Sequence, residues 1–346
     1  MIFATTLILF VITWIICLAF LYSAPDMRKF DQPSPALILA EDRISAQHQE
    51  VLKILSHYHS QPRTTDAEEG RRRFANMFTR DVDIAITNVD IDGLPAEWVT
   101  AADADPDKRL LYLHGGVFIV GSPSTHRHIT AELSRRTSLS VLSIDYRKLP
   151  EHKIIHCHED ARKAYEWVLT NGPRGPSEAK SLFVAGDSAG GNLALAVLAW
   201  ARDNSWRRAN GAIALAPLTD ATLSGPTWKT NLNTDPFLGP SLGRVLSIPA
   251  FVRNIVSRFT SDKPGNHPHL SPLFGPLHDL PPTLIQVSRD EMLYSDALRY
   301  ANKANHAGSE TRLQVWPVMV HVFQGFQLPE TDHAFGLMAE FVAEKS

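Results

Sequence analysis

The chain has 346 residues, of which 44% are hydrophobic and 21% are charged, a composition typical of a globular protein with a sizeable core. Its 34 basic and 37 acidic residues give a net charge of −3, so it lacks the basic surplus of a nucleic-acid-binding protein. The two cysteines, Cys17 and Cys157, lie far apart in the sequence, which argues against a disulfide framework.

The N-terminal segment predicts a membrane anchor over residues 1–25. Residues 2–25 carry no charge, and about 20 apolar residues span a bilayer as a helix. A cleaved signal peptide is the alternative, but no basic side chain precedes the apolar run, and Tyr22 stands where a small residue is preferred. We therefore expect an uncleaved single-pass anchor with the membrane as a partner. The sequence does not specify the side of the membrane.

Helices precede the first strand, and from residue 82 onward short apolar runs alternate with helical periodicity. Strands that alternate with helices predict an α/β fold with an eight-stranded, mostly parallel sheet covered on both faces. The predicted helices are 36–60, 65–80, His128–Arg136, Glu159–Thr170, Gly190–Arg202, Ser295–Ala307 and Asp332–Ala343. The predicted strands are Val82–Val89, Glu97–Ala101, Arg109–Leu113, Ser140–Ile144, Ser181–Ala185, Gly211–Leu215, Thr283–Val287 and Arg312–Trp316.

One connection is much longer than an ordinary loop. Residues 218–282 are rich in Pro, Asn and Thr, and such a length indicates an inserted element near the edge of the sheet. We expect the insertion at about 218–270, within a catalytic domain of residues 81–346. Together with a linker and helices in residues 26–80, it predicts a helical cap.

A serine in a tight turn is the first candidate for chemistry. The segment Gly186-Asp187-Ser188-Ala189-Gly190 follows an apolar strand and begins a helix of small residues. In this context the glycines tolerate a cramped backbone, and the serine hydroxyl projects above the edge of the sheet. The pentapeptide alone is common, whereas the strand and helix around it favour Ser188 as a nucleophile.

A serine hydroxyl needs a base within hydrogen-bond reach and an acid that orients the base. Asp290 and His321 each follow a predicted strand, at the same edge of the sheet as Ser188. Their order along the chain is that of α/β-hydrolases. The residues alone leave competitors, namely Glu291 and Asp296 for the acid, and His333 on the last helix for the base.

A second glycine-containing loop, His114-Gly115-Gly116-Val117-Phe118, directly follows the strand that ends at Leu113. Its glycines allow backbone N–H groups to turn toward a developing alkoxide. With the N–H group of Ala189, these donors predict an oxyanion hole, in which each donor contributes about 3 kcal/mol to transition-state stabilisation.

Together these segments resemble the hormone-sensitive-lipase-like family of α/β-hydrolases, which includes bacterial carboxylesterases and arylacetamide deacetylase. The resemblance covers about residues 80–346 and implies a capped esterase core that uses no cofactor and no metal. It implies a serine carboxylesterase that hydrolyses apolar short-chain or aryl esters through an acyl-enzyme. Further matching segments are Asp145-Tyr146-Arg147, Pro150-Glu151-His152, Ser271-Pro272-Leu273 and Leu280-Pro281-Pro282-Thr283.

The resemblance also implies the role of each site residue. Ser188 is the nucleophile, Asp290 the orienting acid and His321 the base. The oxyanion hole consists of Gly115, Gly116, Val117 and Ala189, with Gly115 shaping the turn that aims the other three amides.

Two features of the sequence complicate this assignment. Val117 stands where the family has a third glycine or another small residue, and a β-branched side chain is stiffer and bulkier, so the geometry of the oxyanion hole and the size of the substrate depend on it. A cluster around Cys157 has spacings that allow zinc ligation, but the family uses no metal and its matching segment is structural. The cluster comprises His152, His156, Cys157, His158 and Glu159.

Two other functions are compatible with the same residues. The triad chemistry is shared by hydrolases of amides, carbamates and lactones. A non-catalytic small-molecule receptor is the second alternative, because plant gibberellin receptors resemble the family but lack the catalytic histidine, which this chain retains as His321. The sequence specifies neither the substrate nor the oligomeric state.

Overall fold

The computed structural model describes residues 13, 24–33, 37–38 and 45–346. In this part of the chain no helix is long and apolar enough to cross a membrane. That finding overturns the prediction of a single-pass anchor, with its membrane location and membrane partner. Residues 1–12 and 14–23 of the predicted anchor lie outside the described residues.

Two helices precede the sheet, α1 (Ala46–Ser60) and α2 (Ala67–Phe78). Each begins where a side chain accepts a hydrogen bond from the first turn, which is how serine and aspartate cap helices. Ser45 accepts from the N–H group of His48, and Asp66 accepts from that of Glu68. These caps set the helix starts that periodicity alone predicts too early.

Nine strands of the described chain form one sheet, in the order β1-β9-β8-β7-β6-β4-β5-β3-β2. All neighbouring pairs are parallel except β3 with β5 and β2 with β3. The prediction of an α/β-hydrolase fold with eight mostly parallel strands is confirmed, and a two-residue edge strand, β1, is added to it. The strands are β1 (Leu37–Ile38), β2 (Ala85–Asp90), β3 (Pro95–Thr100), β4 (Asp105–Leu113), β5 (Leu139–Ile144), β6 (Ser181–Asp187), β7 (Gly211–Leu215), β8 (Thr283–Ser288) and β9 (Thr311–Trp316).

The sheet has a hydrophobic core on each face, because successive side chains of a strand point to opposite sides. Leu111 and Leu113 of β4 lie in the core on one face, and Leu110 and Tyr112 lie in the core on the other. The remaining helices are α3 (Pro123–Thr137), α4 (Ile154–Thr170), α5 (Ala189–Asp203), α6 (Thr227–Thr230), α7 (Leu238–Leu246), α8 (Ala250–Ser261), α9 (Tyr294–His306) and α10 (Pro329–Lys345).

The carboxyl ends of the central parallel strands position the candidate site. The oxyanion loop (residues 114–118) follows β4, and Ser188 follows β6. The acidic turn (residues 289–291) follows β8, and the loop of His321 follows β9. Ligands of open α/β sheets bind outside this edge. The connection between β7 and β8 carries the short helices α6, α7 and α8.

Candidate active site

Ser188 occupies a strained turn between β6 and α5. Its backbone has φ 53° and ψ −116°, a conformation that costs a non-glycine residue about 1–3 kcal/mol. The N–H group of Ser188 donates to Leu215 O over 2.8 Å, which holds the turn against β7. A Cβ atom at Gly190 would collide with the carbonyl oxygen of Leu113, so glycine there lets α5 begin directly against the end of β4.

Asp187, the residue before the serine, joins this turn to the oxyanion loop. Its Oδ1 atom accepts hydrogen bonds from Tyr112 Oη at 2.6 Å and from the N–H group of Gly115 at 2.9 Å. His126 Nε2 lies 3.5 Å from Oδ2. Burial would raise the pKa of Asp187, but the charge and hydrogen bond of His126 and the Tyr112 hydroxyl lower it to about 2. An ionised carboxylate therefore holds Gly115 in place.

The oxyanion loop presents backbone donors beside Ser188. The N–H groups of Gly116, Val117 and Ala189 have no backbone or side-chain acceptor among the described residues. The N–H group of Gly115, in contrast, donates to Asp187. Gly116 has φ 116° and Val117 has φ 48°, and a positive φ is an outlier for a β-branched residue. The valine side chain is 41% exposed and lines the cavity at Ser188.

His321 lies in the loop after β9 and is paired with Glu291. The distance from His321 Nδ1 to Glu291 Oε2 is 2.5 Å, and the two side chains are 2% and 1% exposed. Burial disfavours the imidazolium, but the hydrogen bond and negative charge of Glu291 outweigh it and raise the pKa of His321. Glu291 Oε1 accepts the N–H group of Ser288 at 2.6 Å, so both carboxylate oxygens are held.

The sequence predicts Asp290 as the orienting acid, but the carboxylate within hydrogen-bond distance of His321 Nδ1 belongs to the next residue, Glu291. Strand β8 continues to Ser288, one residue beyond the predicted end. The turn that follows directs Glu291 back toward the histidine. The backbone of Asp290 bonds elsewhere, with its N–H group on Ser288 Oγ and its carbonyl on Thr234 Oγ1.

The other sequence candidates for acid and base lie apart from this pair. Asp296 Oδ2 accepts hydrogen bonds from the N–H groups of Thr219 and Asp220, and its Oδ1 accepts one from Trp228 Nε1. All three donors lie between β7 and β8, so this carboxylate binds that connection. His333 is exposed on α10. Ser188 and His321 both line one cavity, although no hydrogen bond joins them among the described residues. Such a bond often tightens only when substrate is present.

The cavity at Ser188 is mainly apolar and encloses about 130 Å³. Aromatic side chains from α1 and α2 line one side, and side chains of residues 237–242 from the insertion line another. Phe237 lines the cavity, whereas Trp228 and Met319 pack in hydrophobic clusters. The wall comprises Tyr58, Phe74, Phe78, Val117, Val120, Ile129, Phe237, Leu238 and Leu242.

The cluster around Cys157 has separate partners. Cys157 Sγ donates to Arg147 O at 3.1 Å, His156 Nδ1 accepts from the backbone of Lys153, and Glu159 bonds Arg147. In the portion of the chain that the structure covers, no group of three or more His, Cys, Asp and Glu side chains is arranged to hold a metal ion.

The chain is similar to known hydrolases in sequence and in structure. Residues 110–325 match the profile of the alpha/beta hydrolase fold. An acetyl-hydrolase of Streptomyces hygroscopicus is 32% identical over 82% of this chain and 89% of its own length. An esterase of Acinetobacter venetianus is 30% identical over 78% of this chain and 85% of its own. The crystal structure of an esterase from the bacterial hormone-sensitive lipase family superposes with a TM-score of 0.78 at 32% identity, covering 88% of this chain and 99% of that one.

Proposed function

The chain belongs to the hormone-sensitive-lipase-like family of α/β-hydrolases and is a serine carboxylesterase, and from this premise we propose that Ser188, His321 and Glu291 form its catalytic triad. The observation that carries the proposal is the buried pair of His321 Nδ1 and Glu291 Oε2, 2.5 Å apart, in a loop that shares a cavity with Ser188. A nucleophile, a base and an acid are thereby supplied from the ends of β6, β9 and β8.

In the acylation step, Ser188 Oγ attacks the ester carbonyl and His321 Nε2 takes its proton. Glu291 stabilises the imidazolium that forms and keeps the other ring nitrogen protonated before the attack. The carbonyl oxygen becomes an alkoxide and accepts hydrogen bonds from the amides of Gly116, Val117 and Ala189. His321 then returns the proton to the departing alcohol.

In the deacylation step, water attacks the acyl-enzyme and the same residues act in the reverse sense. His321 takes a proton from the water, and the oxyanion amides hold the second tetrahedral intermediate. The proton returns to Ser188 Oγ as the carboxylic acid leaves. The preformed donors act where charge develops and need no reorganisation during the reaction.

The substrates we propose are apolar esters with a short acyl chain or an aryl group. A dry apolar cavity of about 150 Å³ holds a molecule of the size of benzene, and the cavity at Ser188 encloses about 130 Å³. The Streptomyces relative is an acetyl-hydrolase, which supports a short acyl group for this chain. We propose that α1, α2 and the insertion form the cap that sets this limit.

The test combines a covalent probe with turnover of matched substrates. A fluorophosphonate should label the wild-type chain and leave Ser188→Ala unlabelled, and nitrophenyl acetate or butyrate should be hydrolysed faster than the corresponding anilides. Labelling of Ser188→Ala, or full ester hydrolysis by that variant, would overturn the proposed nucleophile. Faster hydrolysis of the anilides would overturn the ester preference.

A further inference from the structure

The turn that carries Glu291 is held by side chains of the insertion. Asn231 Nδ2 donates to the carbonyl oxygens of Arg289 at 2.8 Å and of Glu291 at 3.0 Å. Thr234 Oγ1 donates to the carbonyl oxygen of Asp290 at 2.9 Å. The backbone of the acidic turn is therefore bonded at three successive residues by an element that lies 56 to 60 positions earlier in the sequence.

Asp235 bonds the residue after the acidic turn and also bonds the start of α7. Its Oδ2 atom accepts the N–H group of Met292 at 2.9 Å. Its Oδ1 atom accepts the N–H groups of Phe237 at 3.0 Å and Leu238 at 2.9 Å, at the start of α7. The side chain is 1% exposed, so these bonds form away from water, where hydrogen bonds to an ionised group are strong.

The helix whose first N–H groups this carboxylate accepts borders the cavity at Ser188. Leu238, Ser241 and Leu242 of α7 line the cavity at Ser188. The Phe237 ring lies 6.0 Å from the ring of His321. Asp235 thus lies between the helix that bounds the substrate and the turn that holds the acid.

We propose that Asp235 is a positioning residue for the catalytic triad, because one buried carboxylate fixes the pocket-lining helix α7 relative to the turn of Glu291 and adds a second negative charge near His321. The inference rests on the triad proposed above. It assigns to the insertion a part in the chemistry as well as in covering the substrate.

Three acidic groups act electrostatically on His321, each from a different element. Glu291 comes from the acidic turn, Asp235 from the insertion and Asp187 from the turn of Ser188. Burial lowers the pKa of His321, and Glu291, Asp235 and Asp187 raise it in decreasing order. Loss of the Asp235 charge is therefore expected to ease deprotonation of the imidazole.

The test is Asp235→Asn, compared with Asp220→Asn as a matched control. Asp220 is a buried acid of the same insertion, but it accepts the N–H groups of Thr222 at 2.8 Å and Ser224 at 3.0 Å and does not bond the acidic turn. In Asp235→Asn an amide that can donate faces the N–H group of Met292, and the charge is lost. We expect kcat for nitrophenyl acetate to fall on the order of 10- to 100-fold and the acidic limb of the kcat/KM profile to move to lower pH. Asp220→Asn should lose thermal stability without moving that limb.

Two milder variants separate position from charge and guard against a variant that fails to fold. Asn231→Ala and the isosteric Thr234→Val remove contacts to the turn without changing charge, and Thr234 is exposed. Both should lower kcat with little change in KM and leave the acidic limb in place.

An unchanged kcat and unchanged acidic limb in Asp235→Asn would overturn the inference, as would equal effects in the Asp220→Asn control. Failure of a fluorophosphonate to label the wild-type chain would instead overturn the triad itself. The two failures are therefore distinguishable.

Discussion

Glu291 Oε2 lies 2.5 Å from His321 Nδ1, and this contact sets the tautomer of the histidine. With its Nδ1–H group donating to the carboxylate, the neutral imidazole presents Nε2 as an acceptor toward the cavity. An apolar partner at position 291 would leave the buried histidine unoriented. In the proposed triad, this pair is what activates Ser188 in an apolar cavity.

The pH dependence of hydrolysis should report this pair. Because a protonated His321 cannot accept the proton of Ser188, kcat/KM should fall as pH falls through the raised pKa of His321, so the acidic limb should lie above pH 6.5, the ordinary histidine value. In Glu291→Gln, burial acts without the opposing charge, and the limb should move to lower pH. A rate profile from pH 4 to 9 checks this. An unmoved limb in Glu291→Gln would contradict the pairing.

The strained backbone that positions the Ser188 side chain is expected to lower the stability of the folded protein. Glycine adopts φ 53° and ψ −116° without the penalty that a Cβ atom meets there. Ser188→Gly should therefore be more stable than Ser188→Ala by about 1–3 kcal/mol, although both lack activity. Denaturant unfolding of the two variants measures the difference, and equal stabilities would show that the turn carries no such strain.

Val117 is expected to limit the size of the substrate. Its side chain lines the cavity from the oxyanion loop, and its removal leaves the backbone donor in place. Val117→Gly should raise the ratio of kcat/KM for nitrophenyl octanoate over nitrophenyl acetate by on the order of 10-fold, with Val117→Ala intermediate. If the ratio is the same in all three proteins, the valine does not set the limit.

His128 is a predicted source of acid sensitivity. Among the described residues, neither of its buried ring nitrogens has a hydrogen-bond partner, and burial lowers its pKa to about 3. The unfolded chain therefore binds a proton below about pH 6.5 that the folded chain does not, and stability is lost as pH falls through that range. Relative to the wild-type protein, the free energy of unfolding of His128→Leu should therefore rise by about 2 kcal/mol between pH 7 and pH 5.

Urea unfolding at the two pH values measures the gain of His128→Leu. His333→Leu is the control, because that imidazole is exposed on α10 and stays in contact with water in both states. A gain by His128→Leu that is independent of pH would contradict the account.

The predictable parts of this molecule are those that local pattern determines. Alternation of apolar residues and strand order along the chain predict the sheet, and the glycine-containing turns predict the positions of Ser188 and the oxyanion loop. Apolar periodicity predicts the starts of helices less well. Helix α3 begins at Pro123, where Ser122 and Thr125 form a capping box, whereas the periodicity predicts a start at His128.

The sequence predicts an acid one residue before the one proposed here, because two adjacent carboxylates differ only in the path of a turn. That path depends on where β8 ends and on bonds from the insertion, neither of which has a local signal. The sequence does not predict a role for Asp235 for the same reason, since its partners Met292 and Leu238 lie in elements that meet only in the folded chain. Contacts between distant segments are the part that pattern alone does not supply.

The most direct test of the triad compares kcat for Glu291→Gln and Asp290→Asn with that of the wild-type enzyme on one nitrophenyl ester. Replacement of the orienting carboxylate by an amide lowers kcat by about 10⁴-fold in a serine protease triad. We predict a loss of about 10³- to 10⁴-fold in Glu291→Gln and a change of less than about threefold in Asp290→Asn. A large loss in Asp290→Asn together with a near-normal kcat in Glu291→Gln would contradict the assignment.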